Sequence, residues 1–97
     1  MNEISAAELK IQRANNTELL VIDVREPWEF EEENIGATNI PLHSLPEQLL
    51  QLSAYKNTEF VVHCKSGSRS KQAYKFLTKN GFNKVINLTG GIEAYLA

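Results

Sequence analysis

The sequence predicts an α/β domain with a parallel sheet covered by helices on both faces. Three observations predict it. Short apolar, β-branched runs alternate with helical patterns along the chain. Two of those runs, LLVIDV (Leu19–Val24) and EFVVHC (Glu59–Cys64), are nearly continuous in apolar residues. Strands buried on both faces read that way. The chain has 97 residues, 42% apolar and 23% charged, which suits one ordinary globular domain over 1–97. No internal repeat, linker or low-complexity segment interrupts it.

Taken in order, Glu3–Ser5 is a candidate edge strand. Ser5-Ala6-Ala7-Glu8 is a capping box, with Ser5 as N-cap and Glu8 reaching back. It opens a helix to about Arg13, which Asn15 and Asn16 end. The run Leu19–Val24 is the first buried strand. Pro27 opens a short helix within Glu26–Asn34, its acid run Glu31–Glu33 forming a solvated face. Trp28 and Phe30 either pack that helix or, for Trp28, rim a site. Ala37–Leu42 is a weaker strand. Ser44-Leu45-Pro46-Glu47 reads as a second capping box, with proline at the first helical position, and Leu45, Leu49 and Leu52 share a face. Glu59–Cys64 is the second buried strand. A helix follows from Ser68 to Asn80, with Ala73, Phe76 and Leu77 inward and Gly81 closing it. Lys84–Leu88 is a more alternating strand, and Gly90-Gly91 starts a last helix over Ile92–Leu96.

Composition narrows the function. A net charge of −2 gives no basic footprint for nucleic acid or an anionic membrane. One cysteine and two histidines, with no Cys-x-x-Cys or His-x-x-x-His spacing, supply no metal site and no disulfide framework. The stretch MNEISAAELK lacks the apolar core of a signal peptide. The longest clean apolar run, Leu19–Ile22, is far short of the roughly 20 residues that span a bilayer. The expectation is a cytoplasmic protein.

The chemistry concentrates in FVVHCKSGSRSKQAYKF (Phe60–Phe76). Ligands in open parallel sheets bind beyond the carboxyl ends of the strands, and Cys64 lies at such an end. Lys65, Ser66, Gly67, Ser68 and Arg69 follow it, then a helix. Gly67 allows the loop to curl with its N–H groups inward. The helix start adds unsatisfied N–H groups and a positive dipole end. With Lys65 and Arg69 this makes an anion cradle with a sulfur at its base. Such a cradle lowers a thiol pKa and also holds an anionic substrate, so it suits nucleophilic chemistry by an accessible Cys64 thiolate. A lone cysteine after Phe60-Val61-Val62 is equally the pattern of a small buried hydrophobe; the turn after it favours chemistry. His63 should point to the face opposite Cys64, packed or half-exposed there and not catalytic. Ser66 and Ser68 either donate hydroxyl hydrogen bonds or simply fit a tight turn.

These residues resemble a family. HCKSGSRS (His63–Ser70) resembles the active-site loop of single-domain rhodanese sulfurtransferases. VIDVREPWEFEEENIGATNIPL (Val21–Leu42) and NLTGGIEAY (Asn87–Tyr95) are similar to two further segments of that family, so the resemblance covers nearly the whole chain. It implies a rhodanese-like three-layer domain of about five mostly parallel strands with helices on both faces. It implies that Cys64 carries a sulfane sulfur as a persulfide supported by the N–H groups of Lys65 to Arg69, with no metal and no organic cofactor. Asp23 and Arg25 fall on the family's Asp-Val-Arg, with a supporting role; Glu29 is a candidate ion-pair partner for Arg25. The form Asn34-Ile35-Gly36 departs from the commoner His-Ile-Pro-Gly-Ala, and Tyr95 stands where tryptophan is usual. The former resembles rhodanese domains fused to adenylyltransferases of the molybdopterin and thiamine pathways, which implies a sulfur-carrier acceptor or a longer parent chain.

The implied reaction takes a sulfane sulfur from thiosulfate or a protein persulfide and passes it to cyanide, a thiol or an activated carrier. Lys65 and Arg69 steer the anionic donor. Two rivals stand beside it: a binding or regulatory module that keeps only the fold, and a phosphatase or arsenate reductase. Related phosphatases place five residues between cysteine and arginine. Here four lie between Cys64 and Arg69, a tighter cradle that suits a sulfur atom better than a phosphoryl group.

Overall fold

A computed structural model describes all residues, 1–97. Five strands form one sheet: β1 (Glu3–Ile4), β2 (Val21–Asp23), β3 (Thr38–Asn39), β4 (Phe60–His63) and β5 (Val85–Leu88). Their spatial order is β1-β5-β4-β2-β3, and every pairing is parallel. Five helices connect and close the chain: α1 (Ala6–Asn15), α2 (Pro27–Glu32), α3 (Leu45–Leu52), α4 (Ser68–Lys79) and α5 (Gly91–Leu96). No helix is long and apolar enough to cross a membrane.

The helices begin where local chemistry lets them. In α1 the Ser5 hydroxyl accepts from the Glu8 N–H at 3.1 Å, and the Glu8 carboxylate accepts from the Ser5 N–H at 3.0 Å. In α2 the Glu29 carboxylate closes back on the Glu26 N–H at 3.0 Å. The second box predicted at Ser44 does not form. Ser44 ends a short 3-10 turn, Leu42–Ser44, and is itself helical at φ −93°, ψ −7°. An N-cap side chain reaches the first-turn N–H groups only from extended backbone.

Both sheet faces are buried. Alternation along β4 sends Phe60, Val62 and Cys64 to one side, where they join Leu45 and Leu52 of α3, Ala73 and Leu77 of α4, and Phe82. Phe60 meets the Phe82 ring edge-on at 6.0 Å. Val61 faces the other way, with Val21, Ile86, Leu88 and Leu9 of α1. Each fully buried aliphatic or Phe side chain contributes roughly 1.5–3 kcal/mol. β5 is buried at all four residues although its sequence alternates. Asn87 fills the polar position there, and its Oδ1 has no hydrogen-bond partner.

β4 is the middle strand, paired with β2 in the register Val21↔Val61 and Asp23↔His63. The carboxyl ends of the two strands therefore lie side by side. This juxtaposition brings the segment after Asp23 next to the segment after His63.

Candidate active site

Cys64 follows directly on β4, and Lys65 to Gly67 turn the chain into α4. Gly67 makes the turn possible, with φ +129°, a conformation L side chains rarely adopt. The turn closes on the sulfur. The Gly67 N–H donates to Cys64 Sγ at 3.1 Å, and the Ser70 hydroxyl lies 3.5 Å from it. Ser70 Oγ accepts from the Cys64 thiol and donates its one proton to the Gly67 carbonyl at 3.1 Å, tying the turn to the first turn of α4. Burial is the largest single influence on the thiol and opposes its ionisation. The Ser70 hydroxyl and the N–H groups of Ser70, Gly67 and Ser66 together outweigh it, so the pKa falls below the usual thiol value.

One expectation needs correction. Cys64 is only 1% exposed, not open to solvent. Its side chain shares the inner face of β4 with Phe60 and Val62, and the loop folds over it as a cover. Gly67 is buried with it, while Lys65, Ser66 and Ser68 are exposed.

The loop is fixed from a second side by the start of α5. The Ile92 N–H donates to the Cys64 carbonyl at 2.9 Å, and the Glu93 N–H to the Lys65 carbonyl at 3.2 Å. That approach needs Gly91, because a Cβ there would stand 2.5 Å from both carbonyl oxygens. The Gly90-Gly91 pair is thus part of the site's scaffold, not only a helix start.

Asp23 and Arg25 form a buried clamp at the end of β2, with Asp23 on the His63 side of the sheet. Arg25 Nη2 reaches Asp23 Oδ2 at 2.7 Å, and Arg25 Nε donates to both carboxylate oxygens at 3.1 Å. Arg25 Nη2 also donates to the Glu33 carbonyl at 2.7 Å, anchoring the end of α2. Asn39 Nδ2 donates to the carbonyls of Asp23 and Arg25, each at 3.0 Å. Arg25 does not pair with Glu29, as the sequence suggested. The acid two residues before it satisfies it first, and Glu29 turns instead to Arg69, at 2.5 Å and 3.0 Å. That pair holds the Glu29 carboxyl down at about 2, chiefly through the hydrogen bond from Arg69, and raises the Arg69 pKa.

His63 sits on the face opposite Cys64, fully buried. Its Nδ1–H donates to the Cys64 carbonyl at 3.1 Å, which places the lone pair on Nε2. Nε2 has no hydrogen-bond partner and lies 3.7 Å from Asp23 Oδ2. Burial lowers the His63 pKa, and the Asp23 charge only partly opposes it.

A cleft of about 330 Å³ opens beside the loop, with Trp28, Glu29, Glu32 and Glu33 on one wall and Lys65 and Glu93 on the other. Trp28 is 62% exposed, so it rims the site and does not pack α2. A slightly larger cleft, about 360 Å³, lies near Arg13 and Leu19 at the amino end of β2. Neither cleft is lined by Cys64; the cleft that Lys65 lines is the one that reaches its loop.

The rhodanese-like domain profile matches residues 5–97. The chain belongs to the rhodanese-like domain family. A sulfurtransferase of Allochromatium vinosum is 34% identical over 96 residues, covering 98% of this chain and 88% of that protein. Among solved structures, a rhodanese-related protein of Thermoplasma volcanium superposes with a TM-score of 0.83 at 32% identity, covering 99% of this chain and 91% of its own. An NAD-dependent persulfide reductase of A. fulgidus gives a TM-score of 0.76 at 33% identity, with 98% of this rhodanese-like chain matched to 16% of that one. The family and its relatives support a sulfur-transfer role.

Lys65 to Gly67 form the turn after Cys64, Ser68 and Arg69 open α4, and Asp23 and Arg25 stand at the adjacent end of β2. Sequence reasoning missed Ser70 as a neighbour of the sulfur, although a serine in the first helical turn reaches back to the strand end. It named Glu29 but gave it the wrong partner, because no local signal pointed that acid to Arg69.

Proposed function

We propose that this domain is a rhodanese-type sulfurtransferase that moves a sulfane sulfur through a persulfide on Cys64. The observation that carries the reading is the convergence of the Gly67 N–H and the Ser70 hydroxyl on Cys64 Sγ. The Gly67 N–H favours the thiolate. The Ser70 hydroxyl, which accepts from the neutral thiol and donates to the Gly67 carbonyl, can turn its proton to the sulfur once the thiol ionises. The same pair suits a terminal sulfur.

The cycle has two displacements. The Cys64 thiolate attacks the outer sulfur of thiosulfate or of a protein persulfide, and sulfite or a thiolate leaves. An acceptor, cyanide in an assay or a thiol or carrier protein in a cell, then removes the sulfur and restores the thiolate. Lys65 to Arg69 hold the transferred atom, and Asp23 and Arg25 fix the adjacent end of β2. Three groups that this chain itself supplies suffice: a nucleophile, N–H donors and a fixed backbone.

A second reading is a binding module that keeps the fold. The 1% exposure of Cys64 favours it. Steady-state kinetics decide between the two. The sulfurtransferase reading predicts thiocyanate formation from a sulfane donor and cyanide, with parallel double-reciprocal lines and loss of turnover in Cys64→Ser. No turnover with any sulfane donor contradicts it and leaves the binding module.

A further inference from the structure

Three cations flank the Cys64 loop, and two are already committed. Arg25 is held by Asp23. Arg69 is held through both terminal nitrogens by Glu29. Lys65 has no carboxylate within ion-pair distance. The cleft beside the loop carries Glu32, Glu33 and Glu93, all exposed and none ion-paired. A solute approaching the loop from that side meets more negative than positive charge.

Glu29 differs from the other three. Its Oε1 accepts from the Glu26 N–H at 3.0 Å as well as from Arg69, so the carboxylate is fixed by its own helix start. Its side chain is 12% exposed. The guanidinium that an anionic donor would use therefore already has a bidentate partner.

We propose, on the reading of Cys64 as a sulfur carrier, that Glu29 is a specificity-determining positioning residue. By engaging Arg69 it makes the site discriminate against doubly charged donors such as thiosulfate. Donors with one negative charge or none, a protein persulfide among them, are the preferred class.

The charge balance of the first displacement states why. With thiosulfate, Cys64–S⁻ bonds to the outer sulfur, the S–S bond to the sulfonate breaks, and sulfite leaves with the bond's electron pair. Three negative charges share the transition state. With a neutral persulfide R–S–SH, the same attack gives Cys64–S–SH and R–S⁻, and one charge is shared. Methanethiosulfonate, CH₃SO₂S⁻, has the shape of thiosulfate with a methyl in place of one oxygen anion. Its reaction gives Cys64–S–S⁻ and methanesulfinate and involves two charges.

The test is kcat/KM for thiosulfate and for methanethiosulfonate, each with cyanide as acceptor, in the wild type, Glu29→Gln and Glu29→Asp. The wild type should prefer methanethiosulfonate at least tenfold. Glu29→Gln should shrink that preference at least fivefold, mainly through a lower KM for thiosulfate, and Glu29→Asp should retain it. The double variant Glu32→Gln, Glu93→Gln, which leaves the Arg69 pair intact, should keep the preference within about twofold; a fall as large as that of Glu29→Gln would assign the discrimination to the general charge of the cleft and overturn the role of Glu29. An unchanged preference in Glu29→Gln, or an equal fall with both donors, overturns the proposal while leaving sulfur transfer standing. Absence of turnover with either donor in the wild type overturns the sulfurtransferase reading itself.

Discussion

Arg69 and Glu29 form a two-pronged ion pair that joins the first turn of α4 to α2 across 40 residues of sequence. It stands at the opening of the Cys64 loop and fixes α2 against α4. Its acid dependence is a first prediction. Glu29 titrates at about 2 in the fold, against an ordinary 4.5. Because the folded value is the lower, the stabilisation is complete above the ordinary value and is lost as pH falls from there towards 2. The pair is partly exposed, so its contribution is about 1 kcal/mol after allowance for solvent screening. Urea unfolding at pH 7 should show Glu29→Gln less stable by that amount, and the gap should close near pH 2.

Ser70 is predicted to help hold the thiol ionised. Burial works against the Cys64 thiolate, and the Ser70 hydroxyl is the largest of the groups that oppose it. Ser70→Ala should therefore raise the thiol pKa, read from the pH dependence of alkylation. It should slow sulfur loading at neutral pH roughly tenfold, as expected for one lost hydrogen bond to a charged group. Equal pH profiles for the variant and the wild type would remove Ser70 from the account.

Two glycines should fail for different reasons. A Cβ at Gly91 runs into the Cys64 and Lys65 carbonyls, whereas one at Gly67 meets nothing within 4 Å and suffers only from its φ of +129°. Gly91→Ala should cost about 2–3 kcal/mol through forced displacement of backbone. Gly67→Ala should cost about 1–2 kcal/mol through strain. Thermal unfolding of the two variants checks the order.

His63 supplies a second pH dependence. Its folded pKa lies below the ordinary 6.5, so the unfolded chain takes up a proton that the folded chain refuses. Stability is then full above that value and declines as pH falls through it. His63→Gln should flatten the stability profile between about pH 7.5 and 5.5. A profile with the same slope in the variant would contradict neutral burial of this ring.

Much of this was legible in the sequence because the signals are local. The Ser5–Glu8 box, Pro27, the apolar runs of β2 and β4, and Gly67 each act within a few residues, and each produced the element expected. The misreadings concern choices among distant or competing partners. Arg25 had several glutamates after it, and only the folded chain shows that Asp23 satisfies it while Glu29 crosses to Arg69. Ser44 has the right neighbours for a capping box, yet the preceding 3-10 turn sets its backbone in a conformation that cannot cap. The cover over Cys64 was invisible for the same reason. It depends on α5 docking its first N–H groups on the loop carbonyls, a contact between the two ends of the site.

The central claim is that the Cys64 loop stabilises a transferred sulfur on Cys64, and intact-mass measurement after exposure to a sulfane donor tests it most directly. The wild type should gain one sulfur atom that a thiol reductant removes, and Cys64→Ser should gain none. A wild-type protein that stays unmodified by thiosulfate and by methanethiosulfonate alike, or a Cys64→Ser protein that gains the same mass, would contradict it.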